Sequence, residues 1–287
     1  MVHTRTLIKR LGGKLVLPSL PDVVERLQRA LSDPHSSMKD IGLVLVGDPP
    51  LSARVLRIAN SAYYGLRVQI LDITHAATIL GVDTLQSIVL QIATEHLFAN
   101  LEPHGEFRPQ ELWKHSILTA QIAGSGLPDF CKGMTRAEIY STGLLHDIGS
   151  FVMHEHLRGD YAACVEEARE TGRPQWEMEI RRFGFTHAHV GELVSRRWNL
   201  PKLAVQAIAR HHDPKVIDAE EIVVPWIAAA NHIAGHVIAT DEGAALSKPL
   251  APALLERLGL EDSHWLDVIL SRALEFKNED EAREAAA

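Results

Sequence analysis

Sixteen histidines stand among the 287 residues of this chain, most of them in its later two thirds. Neutral imidazole is a common metal ligand and proton carrier near neutral pH, so the neighbours of each histidine decide what it can do. His146-Asp147 follows the apolar run Thr142-Gly143-Leu144-Leu145 and precedes Ile148-Gly149, where a helix must break. Adjacent residues cannot share one helical face. At a helix end they can still converge on one ion, and imidazole and carboxylate are proper ligands for zinc, iron or manganese. The alternative is an aspartate that caps a helix beside a packed histidine. Glu111 and His115 are spaced i, i+4, which puts a second carboxylate and imidazole on one helical face; their alternative is an ordinary surface pair. His187, in Phe183-Gly184-Phe185-Thr186-His187-Ala188, and the doublet His211-His212 each adjoin an apolar helical stretch. Ligands contributed by several helices are normal for metal sites in helical domains.

Such a site needs helices to hold it. Apolar residues recur at helical spacing almost from end to end, while alternating strand patterns and Asn-Gly or Asp-Gly turns are nearly absent. The expected fold class is all-α. Helices are predicted at 22–31, with Val23, Val24, Leu27, Ala30 and Leu31 on one face and Pro34 as a stop, at 38–46, and at 51–60 after the Asp48-Pro49-Pro50 turn. Others are predicted at 74–80, 84–98, 110–123, 136–147, 161–171, 175–182, 188–198, 203–211 and 223–238. The stretch 100–109 holds Pro103, Gly105 and Pro109 and reads as a lobe boundary. The final 278–287 mixes acidic residues with alanine and has no apolar face, as in a solvated helix end or a disordered tail. No internal repeat is visible.

Composition narrows the function classes. Apolar residues make up 46% and charged residues 23%, ordinary globular usage that leaves room for one or two hydrophobic cores. A formal charge of −8 provides no cationic field for nucleic acid or anionic lipid. Cys131 and Cys164 are the only cysteines and form no CxxC pair, which suits a reducing cytoplasm. Arg5, Lys9, Arg10 and Lys14 precede an apolar stretch broken by Pro18 and Pro21, unlike a signal peptide. The segment 222–240 lacks Asp, Glu, Lys and Arg, but Pro225, Asn231, His232 and His236 are costly in hydrocarbon and favour a helix buried in protein.

Taken in order, Glu111, His115, His146-Asp147, His187 and His211-His212 resemble the ligand sequence of HD-domain phosphohydrolases, in particular the HD-GYP phosphodiesterases. Leu17-Pro18-Ser19-Leu20-Pro21, Asp48-Pro49-Pro50-Leu51, Asn60-Ser61-Ala62-Tyr63-Tyr64-Gly65, Ala76-Ala77-Thr78-Ile79-Leu80-Gly81 and Leu144-Leu145-His146-Asp147-Ile148-Gly149 narrow the match to HDOD-domain proteins. The resemblance spans about 15–239. It implies an extension at 1–14, an N-terminal helical lobe at 15–105, an HD-like lobe at 106–240, and C-terminal helices with an acidic tail at 241–287.

It also implies a bacterial signalling and regulatory role through a signalling protein partner, with a homodimer left open and little or no hydrolysis. The implied divalent metal is iron, manganese or zinc, held by Glu111, His115, His146, Asp147, His187, His211, His212 and, in the late buried helix, Asn231. Asn231 stands where the hydrolases carry an aspartate, and an amide binds metal more weakly and without charge. Ser150 stands where active relatives commonly have a lysine. Asp213-Pro214-Lys215-Val216-Ile217 follows the His doublet with no Gly-Tyr-Pro. If hydrolysis occurs, it rests on Asp147 and a metal-held water.

Met38 to Asn60 also imitates a helix-turn-helix, with Arg54 and Arg57 on its second helix. The net charge opposes that reading. Gly12-Gly13-Lys14 and Gly124-Ser125-Gly126 lack the spacing of a phosphate loop and read as turns.

Overall fold

The computed structural model describes residues 17–285 apart from 19–21, 33–34, 36–37, 67–68, 106, 126–130, 132, 214, 240–249 and 261–262. The extension at 1–14, the Gly12-Gly13-Lys14 turn and Gly126 lie outside the described residues. Among those described there is no β-strand, and the elements are helices in sequence order. First come α1 (Asp22–Ser32), α2 (Met38–Val46), α3 (Pro49–Ala59), a 3-10 turn (Ala62–Tyr64), α4 (Ile73–Leu80) and α5 (Val82–Ala99). Then follow α6 (Pro109–Ser125), α7 (Arg136–Leu145), α8 (Ile148–Leu157), α9 (Gly159–Thr171), α10 (Gln175–Phe183), α11 (His187–Arg197) and α12 (Lys202–Arg210). After a 3-10 turn (Val216–Asp218) come α13 (Val223–Ala239), α14 (Pro252–Leu258) and α15 (Ser263–Ala285).

The motifs around residues 48 to 72 are structural punctuation. Asp48 caps α3 by accepting from the Leu51 backbone N–H at 3.0 Å. Asn60 clamps the following loop: its amide donates to the carbonyls of Leu56 and Ile70, and its oxygen accepts from the Ile70 N–H, all at 2.8 Å. Gly65, at φ 58°, makes the left-handed turn after the two tyrosines, a conformation that strains a side chain. Arg54, which the helix-turn-helix reading would place on a phosphate, is instead paired with Glu95 of α5.

Among the described residues two large apolar clusters fill most of the interior, with two small ones beside them. The larger joins N-terminal residues such as Leu27, Val55, Leu85 and Ile88 to Leu145, Phe151, Tyr161, Phe185 and Val190, so packing is continuous across the 100–109 connection. The second gathers α6, α12 and α13 beneath α14 and α15, with Trp226 wholly buried and its indole N–H on the Ala123 carbonyl. The 223–238 segment is therefore a packed interior helix, and no helix among the described residues is long and apolar enough to cross a membrane.

The helix predicted through Asp147 stops at Leu145, and the chain resumes helical form at once as α8, which the sequence reading did not foresee. Gly149 permits this restart. A Cβ built there would lie 1.9 Å from the His187 carbonyl oxygen and 2.6 Å from the Gly191 nitrogen, so α8 and α11 touch backbone to backbone. The 278–287 segment is the helical end of α15 as far as Ala285.

Candidate metal centre

The five histidines of the centre reach it from four places in the chain. His115 lies midway along α6, His146 and Asp147 form the α7–α8 break, His187 opens α11, and His211-His212 follow α12. Asp147 occupies the N-cap position of α8 but makes no side-chain cap bond, which overturns the capping reading. Its carboxylate turns inward instead. One oxygen, Oδ2, stands 3.2 Å from His146 Nε2 and 3.8 Å from His115 Nε2; the other, Oδ1, stands 3.1 Å from His187 Nε2 and 3.3 Å from His211 Nε2. His212 packs against His211 and His187, with ring centroids 4.2 and 5.0 Å away.

Second partners fix the tautomers. His146 Nδ1 donates to the Gly143 carbonyl at 2.7 Å and His211 Nδ1 to the Ile208 carbonyl at 2.8 Å. His187 Nδ1 donates to the Glu179 carboxylate at 2.7 Å. Carbonyl and carboxylate oxygens only accept, so the proton sits on Nδ1 and the Nε2 lone pairs of His146 and His211 face Asp147. His146 Nε2 and Asp147 Oδ1 are buried without a hydrogen-bond partner, and His187 Nε2 faces His211 Nε2 at 3.4 Å. Lone pairs converging on a buried carboxylate require a cation. The donor set fits a metal. His115, His146 and Asp147 form one group able to hold an ion, and Asp147, His187, His211 and His212 form another, so Asp147 belongs to both.

Electrostatics agree with that fit. Burial, then the neighbouring His146, pushes His115 down to about 4, leaving it neutral. His212 is held well below its ordinary range by burial and by His211 and His187. Asp147 resists the upward push of burial because His146 and His187 hold it well below the usual carboxylate range. Burial pushes His187 down, but Glu179 and Asp147 on either side outweigh it and raise the ring to about 10. In the metal-free site that proton serves as the cation.

A pH dependence follows. The folded-state value of His187 lies above its ordinary 6.5, so its charge contributes stability that is fully present below about pH 6.5 and is lost as pH rises through about 10. Ligation needs the neutral ring, so metal loading at neutral pH releases a proton and tightens as pH rises. The melting temperature of chelated protein is expected to fall from pH 6.5 to pH 9.5 by more than that of metal-loaded protein; an equal fall in both samples contradicts this.

The ligands read from sequence do not all enter the centre. His115, His146, Asp147, His187, His211 and His212 converge, and Asn231 Oδ1 meets His115 Nε2 at 2.8 Å. Glu111 does not join them. One turn before His115 on α6, it lies exposed on the lining of the cleft and belongs to neither ligand group.

A buried residue that the sequence reading missed is Glu179. It is fully enclosed and accepts from the Tyr161 hydroxyl at 2.9 Å, the Gln175 amide at 2.9 Å, and the His187 backbone N–H and ring. It orients His187 without touching the ion position. Glu179→Gln is expected to weaken metal binding about 10- to 100-fold, measured by metal titration, with helical content retained. Unchanged affinity would leave Glu179 a purely structural acceptor.

The HDOD domain profile matches residues 17–214. An HDOD domain protein of unknown function from Geobacter sulfurreducens has the same fold, with a TM-score of 0.74, 26% identity, and coverage of 98% of this chain and 97% of that one. An uncharacterized protein of Treponema pallidum is 24% identical over 216 residues, 75% of this chain but 41% of its own length. Ribonuclease Y of Thermus thermophilus is 33% identical over 122 residues, 42% of this chain and 16% of that protein. This chain thus spans less than half of the length of each of these two curated relatives. With the profile running from the first described helix past the paired histidines, the chain belongs to the HDOD domain family.

Proposed function

We propose that this chain is a regulatory HDOD protein that acts through protein contacts, with a metal centre that organises the HD-like lobe and turns over little or no substrate. One observation carries the reading. The ligand cluster is assembled, yet the position beside it that would offer a cation to phosphate is Ser150, 1% exposed. Glu111 at the cleft mouth adds a negative charge that opposes an incoming phosphate. On the N-terminal lobe Leu43, Val46, Leu71 and Ile79 stand exposed, offering apolar surface to a protein partner.

A second reading, a metal-dependent phosphohydrolase acting on a nucleotide or cyclic dinucleotide, is favoured by one feature. A cleft of about 330 Å³ opens onto the centre, and Arg108 lines it beside His115, Asp147 and His212. The similarity to Ribonuclease Y supports the same reading. A bound ion would lower the pKa of a water and polarise a phosphoryl oxygen. Arg108 would then be the residue that holds the phosphate.

Metal-replete protein assayed against a cyclic dinucleotide and a general phosphodiester is expected to show no turnover above that of Asp147→Ala. Turnover in the parent that the substitution abolishes would establish the second reading.

A further inference from the structure

A cavity of about 390 Å³ lies away from the metal cleft and shares no lining residue with it. It opens where three parts of the chain meet: the 3-10 turn and α5 of the N-terminal lobe, the facing ends of α6 and α7, and α15. From this cavity we propose that the protein binds a mononucleotide, recognised as an aromatic base joined to a phosphate, at a site distinct from its metal centre.

The lining supplies both halves of such a ligand. Tyr63 sits at the middle of an aromatic cluster, with Tyr64 at 4.8 Å, Tyr140 at 5.2 Å and Phe276 at 5.6 Å between ring centroids. Rings of this kind offer faces and edges to a planar base. Arg136 opens α7 and Arg272 stands on α15, both exposed at the cavity. Arg272 donates to the Ser125 carbonyl at 3.3 Å, which holds its guanidinium at the rim. Two arginines line this one cavity although the chain carries a net charge of −8, and arginine matches phosphate geometry well. Thr84 and Ser125 add hydroxyls for the sugar and the base edge, and the volume lies in the range of small-molecule sites.

Gly124 makes room for this arrangement. A Cβ there would lie 2.4 Å from the Tyr63 hydroxyl and 3.0 Å from Tyr140 Cβ, so a side chain at 124 would displace the central ring. The location also suits regulation. Helices α6 and α7 run side by side from this cavity to the metal centre, which is about 9 Å of helix from Tyr140 to His146 and about 14 Å from Gly124 to His115. A ligand here would hold α15 against that helix pair. Glu275 is the one carboxylate on the lining and should weaken an anion.

The test is calorimetric titration of the metal-replete full chain with adenosine and guanosine 5′-monophosphates, with inorganic phosphate and the parent nucleosides as half-ligands. At least one nucleotide is expected to bind at least about tenfold tighter than either of its halves. Arg136→Ala and Arg272→Ala should each weaken it by about tenfold or more, and Glu275→Gln should tighten it. Chelation should change the nucleotide affinity by no more than a few-fold, since no candidate metal ligand lines the cavity. No binding at millimolar nucleotide would overturn the proposal. Binding that survives both arginine substitutions, or that disappears on chelation, would equally do so by placing the ligand elsewhere. Because Arg136 and Arg272 are exposed, their variants are expected to melt with the parent, and metal content reports separately on the centre.

Discussion

Asp147→Ala should lose metal from both ligand groups at once, whereas His115→Ala or His212→Ala should each affect only one. The carboxylate is shared: Oδ2 faces His146 and His115, and Oδ1 faces His187 and His211. Without it, each group keeps neutral imidazoles and no negative charge to balance a dication, while His115 and His212 each belong to a single group. Loss of affinity on the order of 100-fold or more is expected for Asp147→Ala, beyond what outer partners of a ligand contribute. Elemental analysis of the variants reads the result directly. Equal metal content in Asp147→Ala and the parent would show that the carboxylate holds no ion.

Gly149→Ala should be the most damaging of the Gly→Ala substitutions among the described residues. The added Cβ would meet the His187 carbonyl oxygen at 1.9 Å and the Gly191 nitrogen at 2.6 Å, and backbone atoms cannot turn aside as a flexible side chain can. The α8 and α11 backbones must separate, at a cost of roughly 3 kcal/mol or more. That corresponds to a fall in melting temperature of roughly 6 to 10 °C for a domain of this size. The same movement displaces His187 and should weaken metal binding. Gly159→Ala is the control, since a Cβ there meets nothing within 4 Å, and it should be neutral or slightly stabilising. A Gly149→Ala protein that melts with the parent would mean that the two helices are less closely apposed than described.

The ligand order was legible because each ligand adjoins an apolar helical stretch with a strong period, and helical faces fix where side chains can go. His146-Asp147 was legible for the same reason: the glycine after it signals a break, and a break frees both side chains to face one point. The restart of α8 was less visible, because a glycine near a helix end reads as a stop unless a neighbouring backbone is known to press against it. Glu111 shows the limit of spacing. Its i, i+4 relation to His115 correctly gives a common face, but the centre is deeper than one turn, and the carboxylate remains at the mouth.

Glu179 had no local signal at all. Within Gln175–Phe183 it is one of two glutamates on a short polar helix, and only the packing of α9 and α11 onto that helix encloses it beneath His187. Its cue was chemical rather than periodic: a buried ligating histidine needs an acceptor on its other nitrogen. The cavity at Tyr63 was equally hidden, since its walls come from five elements widely separated along the chain.

That Asp147 and the surrounding histidines form a metal centre is tested most directly by elemental analysis of the chain purified without chelator or a metal-binding tag. At least one equivalent of iron, manganese or zinc per chain is expected, removable by chelation and restored on addition of the same metal. Less than about a tenth of an equivalent, both as purified and after incubation with each metal at neutral pH, would contradict it and leave the cluster as a proton-bridged core.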